Sequence, residues 1–185
     1  MKEELIDIYT QDRIALNKVA TKYEVHKQGY YHHTAHLWLF TIRGEVLLAQ
    51  RAASKIICPL LWDVSVAGHV DAGESIVDAI IREAYEEIGL KLRTEQLINV
   101  GVYDCFKTYR NGVIDNEFHN TFIALIDLEI NDYLIDRNEV EAIKYVHCND
   151  FINLLNSPNN LHFIKENKSY YEFILSEIQK AIQNL

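Results

Sequence analysis

No CxxC pair occurs in the chain, and its three cysteines, Cys58, Cys105 and Cys148, stand far apart and odd in number. That pattern argues against a disulfide framework and for a reducing, cytoplasmic setting. Nor is there an excess of positive charge, since the formal net charge is −9. A surface for nucleic acid or anionic membrane needs a basic patch, so neither partner is expected. No stretch approaches about 18 apolar residues, which leaves no candidate for a transmembrane helix. The opening MKEELIDIY lacks the apolar run of a signal peptide. Internal repeats and low-complexity segments are also missing.

What is there suits one globular domain. At 185 residues, 49% apolar and 24% charged, the chain can bury a sizeable core. A single domain over 1–185 is expected, with an N-terminal extension to about residue 33 and C-terminal helices from about residue 150. Strands are read at Glu4–Ile8, His36–Ile42, Glu45–Gln50, Asp63–Val66, Leu97–Phe106, Glu117–Leu128 and Ile143–Val146. Arg43-Gly44 and Asn111-Gly112 supply hairpin turns. Ser157-Pro158-Asn159-Asn160 breaks the chain before one or two amphipathic helices, with Phe173, Ile174, Ile178 and Ile182 as a packed face. Strands mixed with helices point to an α/β domain with a mixed sheet.

The most informative stretch runs from Gly68 to Leu90. Ser75 with Asp78 starts a helix and Gly89 ends it. Val77, Ile81, Ala84, Tyr85 and Ile88 fall on one arc, and Glu83, Glu86 and Glu87 on the other. Like charges at that spacing repel by a few tenths of a kcal/mol per pair. Arg82 is the one cation beside them, with Glu86 as its i,i+4 partner. The arc is either an acidic solvated face or a site for a hard divalent cation, which takes oxygen ligands.

The full spacing is Gly68, five residues, Glu74, seven residues, then Arg82-Glu83-Ala84-Tyr85-Glu86-Glu87-Ile88-Gly89-Leu90. It resembles the Nudix box at every defined position. The resemblance implies an α/β/α sandwich and hydrolysis of a phosphoanhydride. It also implies Mg²⁺ or Mn²⁺ held by Glu83, Glu86 and Glu87, with the Gly68 carbonyl as a further ligand. Arg82 is expected to orient a box carboxylate rather than touch substrate. Glu117 shares a strand face with His119 and Thr121 and is a candidate metal ligand or water base, whereas Asp115 reads equally as turn chemistry.

A narrower resemblance covers Gln50-Arg51-Ala-Ala-Ser-Lys55 and Pro59-Leu-Leu-Trp-Asp-Val-Ser-Val-Ala67-Gly-His69-Val. These look like the isopentenyl diphosphate isomerase branch and its hydrolase relatives. Arg51 and Lys55 would then hold the diphosphate; on residue type alone, strand-end surface charges are the alternative. The same likeness implies a metal at His36, His69, Asp115 and Glu117, the remaining ligand being His26, His32 or His33. Ala67 stands where the isomerases carry a catalytic cysteine, which removes a group that moves protons in allyl isomerisation.

The reading is a metal-dependent hydrolase of a nucleoside diphosphate-linked or other organic diphosphate, with Glu86, Glu87, Arg82 and Glu117 as its catalytic set. An isomerase-like enzyme and a catalytically silent nucleotide sensor stand as alternatives. The expected partner is the small-molecule diphosphate, and homodimerisation is left open. Tyr30, Tyr31, Tyr103, Phe106 and Tyr109 either line a substrate pocket or belong to the core.

Overall fold

A ten-residue strand, β3 (Tyr31–Phe40), organises the fold, and the computed structural model describes residues 3–157, 163 and 167–185 around it. Along one edge β3 pairs in parallel with β8 (Ile114–Leu125), from Tyr31 opposite Asn116 to Phe40 opposite Leu125. Its other edge is shared by three antiparallel neighbours. These are β1 (Leu5–Tyr9) at the start, β6 (Val66–His69) in the middle and β4 (Glu45–Arg51) at the end. β2 (Ala15–Thr21) pairs with β1; β5 (Trp62–Asp63) and β9 (Val140–His147) flank β4; β7 (Ile98–Thr108) closes the far side on β8.

Period-two alternation sorts β3 between two cores. Ala35, Leu37 and Leu39 face Ala79, Ile80, Ala84 and Ile88 of α2 (Ile76–Ile88). Trp38 and Phe40 face Phe151 of α3 (Cys148–Asn156) and Tyr170, Tyr171, Ile174 and Ile178 of α4 (Lys168–Gln183). Helices therefore cover both faces of a mixed sheet, the expected α/β/α sandwich. A small third cluster, Ile6, Ile8, Ala20 and Val25, binds β1 and β2 to α1 (Lys22–Gln28).

Several elements differ from the sequence expectation. The histidine-rich stretch is not a prelude to the strand: His32 and His33 already belong to β3, and His26 sits on α1. β8 starts at Ile114, three residues before Glu117, so Asp115 is a buried strand residue rather than a turn residue. The box helix is turned relative to the expected arc. Tyr85 is 55% exposed, with Lys91 over its ring, while Ala79 and Ile80 are buried. The rotation tucks Glu87 against the sheet instead of leaving it on the solvent side. Phe173 is likewise 41% exposed, because Tyr170 and Tyr171 fill the face of α4 that meets Trp38. Pro158, Asn159 and Asn160 of the expected break lie outside the described residues.

The corrected register of α2 can be checked by stability. Ile80→Ala should cost about 2–5 kcal/mol in denaturant unfolding, the range for emptying a packed core site. Tyr85→Ala should cost under about 1 kcal/mol, as an exposed position does. The opposite order would restore the arc read from sequence.

Candidate active site

The box helix begins where the Asp78 N–H donates to Ser75 Oγ at 3.1 Å and ends at Gly89, whose φ is 70°. Between them, one guanidinium gathers the loop and the helix. Arg82 Nε and Nη2 donate to the two oxygens of Glu74 at 2.9 and 2.8 Å, a bidentate pair. Nη1 reaches Glu83 Oε1 at 2.7 Å and Glu86 Oε2 at 3.1 Å, and Nη2 also donates to the His69 carbonyl at 2.9 Å. Arg82 therefore orients carboxylates and the β6 backbone.

The three box carboxylates differ in setting. The Glu86 side chain is 57% exposed and that of Glu83 only 14%, while Glu87 is buried. Gly68 explains how Glu83 fits: a Cβ there would lie 2.0 Å from Glu83 Cδ. Glu87 accepts from the Ala67 N–H at 3.3 Å. Burial, then the charge of Glu83, pushes the Glu87 carboxyl well above its ordinary range. Burial also raises Glu83, against the pull of Arg82. Two carboxylates on one helix face, one buried and one partly buried, each raised by burial, suit a bound divalent cation.

Arg51, Lys55, Asp63, Ala67 and Glu87 line a cavity of about 40 Å³ on this side. Arg51 Nε donates to the Ile57 carbonyl at 3.0 Å, and Lys55 is ion-paired with Glu139. The two cations expected to hold a diphosphate thus share a cavity wall with a box carboxylate.

The other face of β6 carries different chemistry. Gly68 points to α2, so Ala67 and His69 point the opposite way, toward the even-numbered side chains of β3. There His26, His32, His69 and Glu117 bring ligand atoms within 4.8 Å of one another. His26 Nε2 lies 3.1 Å from His69 Nε2, and His26 Nδ1 faces Asp115 Oδ1 at 2.9 Å without hydrogen-bond geometry. His32 Nδ1 is 2.9 Å from the Tyr30 carbonyl, which leaves its buried Nε2 unpartnered, 3.7 Å from Glu117 Oε1. Buried orphan donors and acceptors of this kind call for a ligand. Burial keeps His69 well below the usual imidazole range, hence neutral and able to ligate. Burial would raise Glu117, but the His119 hydrogen bond at 2.9 Å and the nearby His32 ring outweigh it and hold the carboxyl well below its ordinary range.

His36 lies beside this group rather than within it. Its ring stacks on His119 at 3.9 Å between centroids, and its Nδ1 is 3.0 Å from the Tyr170 hydroxyl. It forms a second cluster with Glu117 and His119. His33 is turned away, against Tyr9 and the Asn120 amide.

A profile of the NUDIX domain matches residues 30–166. The chain belongs to the Nudix family. An uncharacterised Nudix hydrolase of Clostridium acetobutylicum is 33% identical over 161 residues, covering 85% of this chain and 76% of that protein. An isopentenyl-diphosphate Delta-isomerase of Escherichia coli is 38% identical over 97 residues, or 51% of this chain and 53% of the isomerase. The chain thus spans about half the length of that relative. A solved protein of Deinococcus radiodurans superposes with a TM-score of 0.64 at 18% identity, covering 81% of this chain and 87% of its own. The protein is a Nudix hydrolase by family, and among the described residues no helix is long and apolar enough to cross a membrane.

The sequence reading left some of these residues open and missed others. His26 and His32 could not be chosen over His33 by spacing. Thr21 and Glu24 form a capping box that fixes α1 and so the place of His26, and that signal was legible. Glu139 and Tyr170 arrive from distant segments, and nothing local marks them.

The raised carboxyl of Glu87 has a consequence for stability. A group raised on folding stabilises while protonated, and that contribution fades as pH climbs through its folded value. Metal-free wild-type protein should therefore lose stability relative to Glu87→Gln as pH rises from the ordinary carboxylate range toward neutrality. Parallel curves of melting temperature against pH for the two would contradict the raised carboxyl of Glu87.

Proposed function

We propose that this Nudix hydrolase cleaves a phosphoanhydride bond in a nucleoside diphosphate-linked or other organic diphosphate. A divalent ion, Mg²⁺ or Mn²⁺, would be held by Glu83, Glu86, Glu87 and the Gly68 carbonyl. The observation that carries this is the pairing of partly buried Glu83 and buried Glu87 beneath β6 with Arg51 and Lys55 in the cavity that Glu87 also lines. When bound, the ion supplies positive charge against the transferring phosphoryl oxygens and lowers the pKa of water. The chain's own residues do the rest. Arg51 and Lys55 take the diphosphate, and Arg82 holds Glu83 and Glu86 in place while Glu74 fixes Arg82. Glu117 belongs to a separate site with His26, His32 and His69, and that imidazole-rich set suits a transition ion better than Mg²⁺. His36, with its Nδ1 at Tyr170, supports Glu117 through His119.

The isomerase-like reading has one observation in its favour, the histidine and Glu117 cluster. Against it stands Ala67, whose methyl packs against the core cluster that contains Trp38 and can neither give nor take a proton. A silent sensor is disfavoured because every carboxylate of the box is retained.

A phosphate-release screen over nucleoside diphosphate derivatives, dinucleotides, thiamine diphosphate and prenyl diphosphates, with Mg²⁺ and Mn²⁺, should find a substrate. Glu86→Gln and Glu87→Gln should each cut turnover on it by about 10² or more, the scale of losing one charged transition-state contact. Arg51→Ala should mainly raise KM. Near-wild-type turnover in both carboxamide variants would refute the metal clamp. Incubation with isopentenyl diphosphate in deuterated water should yield no dimethylallyl product; steady deuterium incorporation would favour the isomerase.

A further inference from the structure

Glu139 stands outside the box, on the turn that leads into β9, and its position is fixed from both sides. Its carbonyl accepts from the Ala52 N–H at 3.1 Å, and its own N–H donates to the Asp136 carbonyl at 3.0 Å. The same turn is stapled to the end of α2, with the Asp136 N–H on the Glu87 carbonyl at 2.9 Å and the Leu134 N–H on that of Ile88 at 3.0 Å. One residue on, Val140 is paired with Arg51 in the sheet. The Glu139 side chain thus opens into the cavity that Arg51, Lys55 and Glu87 share. It keeps 39% of its surface exposed and is ion-paired with Lys55.

The other acids near that cavity are committed. Asp63 Oδ1 accepts from the Tyr171 hydroxyl at 2.8 Å, deep against α4. Glu87 is buried and bonded to the Ala67 N–H. Glu74 holds Arg82 with both oxygens, and Glu117 lies across β6 between His32 and His119. Glu139 alone among these acids is ion-paired with a cation that an incoming diphosphate would itself claim. A cavity of about 40 Å³ also exceeds the ~10–15 Å³ that one water needs.

We infer that Glu139 is the general base of this hydrolase, masked by Lys55 in the free protein and released when substrate takes that lysine. The inference rests on the proposed reading of the cavity as a diphosphate site. In the step, a water oxygen bonds to phosphorus and the water proton passes to the Glu139 carboxylate. The anhydride P–O bond breaks, and its electron pair leaves on the departing phosphate oxygen. Tying base to binding lysine keeps the base occupied until the substrate is in place.

The test compares wild type, Glu139→Gln, Glu139→Asp and Lys55→Ala on the diphosphate compound found by screening, with Mg²⁺ across pH. Mn²⁺ binding is measured alongside by calorimetry. Glu139→Gln should lower kcat by about 10²–10⁴, the usual worth of a positioned base, with little change in KM or in Mn²⁺ affinity. Its kcat should also lose the acid limb of the pH profile, which Glu139→Asp keeps. Arg51, Lys55, Asp63 and Glu87 face the same cavity in every variant but Lys55→Ala, so the comparison isolates the one carboxylate. Lys55→Ala should raise KM and leave the acid limb in place. Unchanged kcat with raised KM in Glu139→Gln would overturn the inference and leave a mere holder of Lys55. Weakened Mn²⁺ binding in that variant would overturn it in favour of a metal ligand. A wild-type protein that hydrolyses no diphosphate would overturn the proposed function as well, so the two failures are distinct.

Discussion

The close approach of β6 to the box helix is the constraint on which the site depends. At Gly68 the strand backbone lies so near Glu83 that no side chain fits between them. That contact lets Glu83 and Glu87 reach under the strand, where the Ala67 N–H meets Glu87 and the His69 carbonyl meets Arg82. Two carboxylates in a poorly hydrated place resist ionisation, and one guanidinium shared among Glu74, Glu83 and Glu86 only partly answers them. The helix face opposite solvent carries the packing of Ala79, Ile80, Ala84 and Ile88.

β6 is also a partition. Because its side chains alternate, neighbouring residues serve two chemically different places: Gly68 the oxygen-rich box, His69 the imidazole-rich pocket. The parallel pairing of β3 with β8 sets His32 level with Glu117 and so assembles the second place from residues 85 apart in sequence. The C-terminal helix α4 then closes that face, Tyr170 meeting the Trp38 Nε1–H, His36 and Thr121 at one hydroxyl. The molecule gathers its histidines with Glu117 on this face, while Ala67, on the same face of β6 as His69, presents only a methyl.

Legibility followed locality. The box was readable because its spacing lies within one loop and one helix; strand and helix periods gave an α/β domain with a mixed sheet, and the sandwich came with the resemblance that the box carries. The face of α2 was misjudged at Tyr85 since a helical arc gives a direction only to within about one residue, and hydrophobicity favoured the tyrosine over Ala79. The histidines were visible as residue types but not as a set: choosing His26 and His32 over His33 needs the start of β3 and the orientation of α1. Glu139 was invisible, because its meaning lies in a loop packed on Glu87 and a partner, Lys55, 84 residues away. Tertiary convergence of single residues leaves no periodic trace in a sequence.

The central claim is that Gly68, by leaving the space of a side chain to Glu83, lets the box carboxylates take up the proposed metal. A Mg²⁺ titration of Gly68→Ala, followed by melting temperature, tests it most directly. Glu83 is a flexible side chain that can swing away, so the variant should fold. It should melt near the wild type without metal yet lose the Mg²⁺-induced rise that binding to the folded state gives. An undiminished rise in the variant would contradict the account.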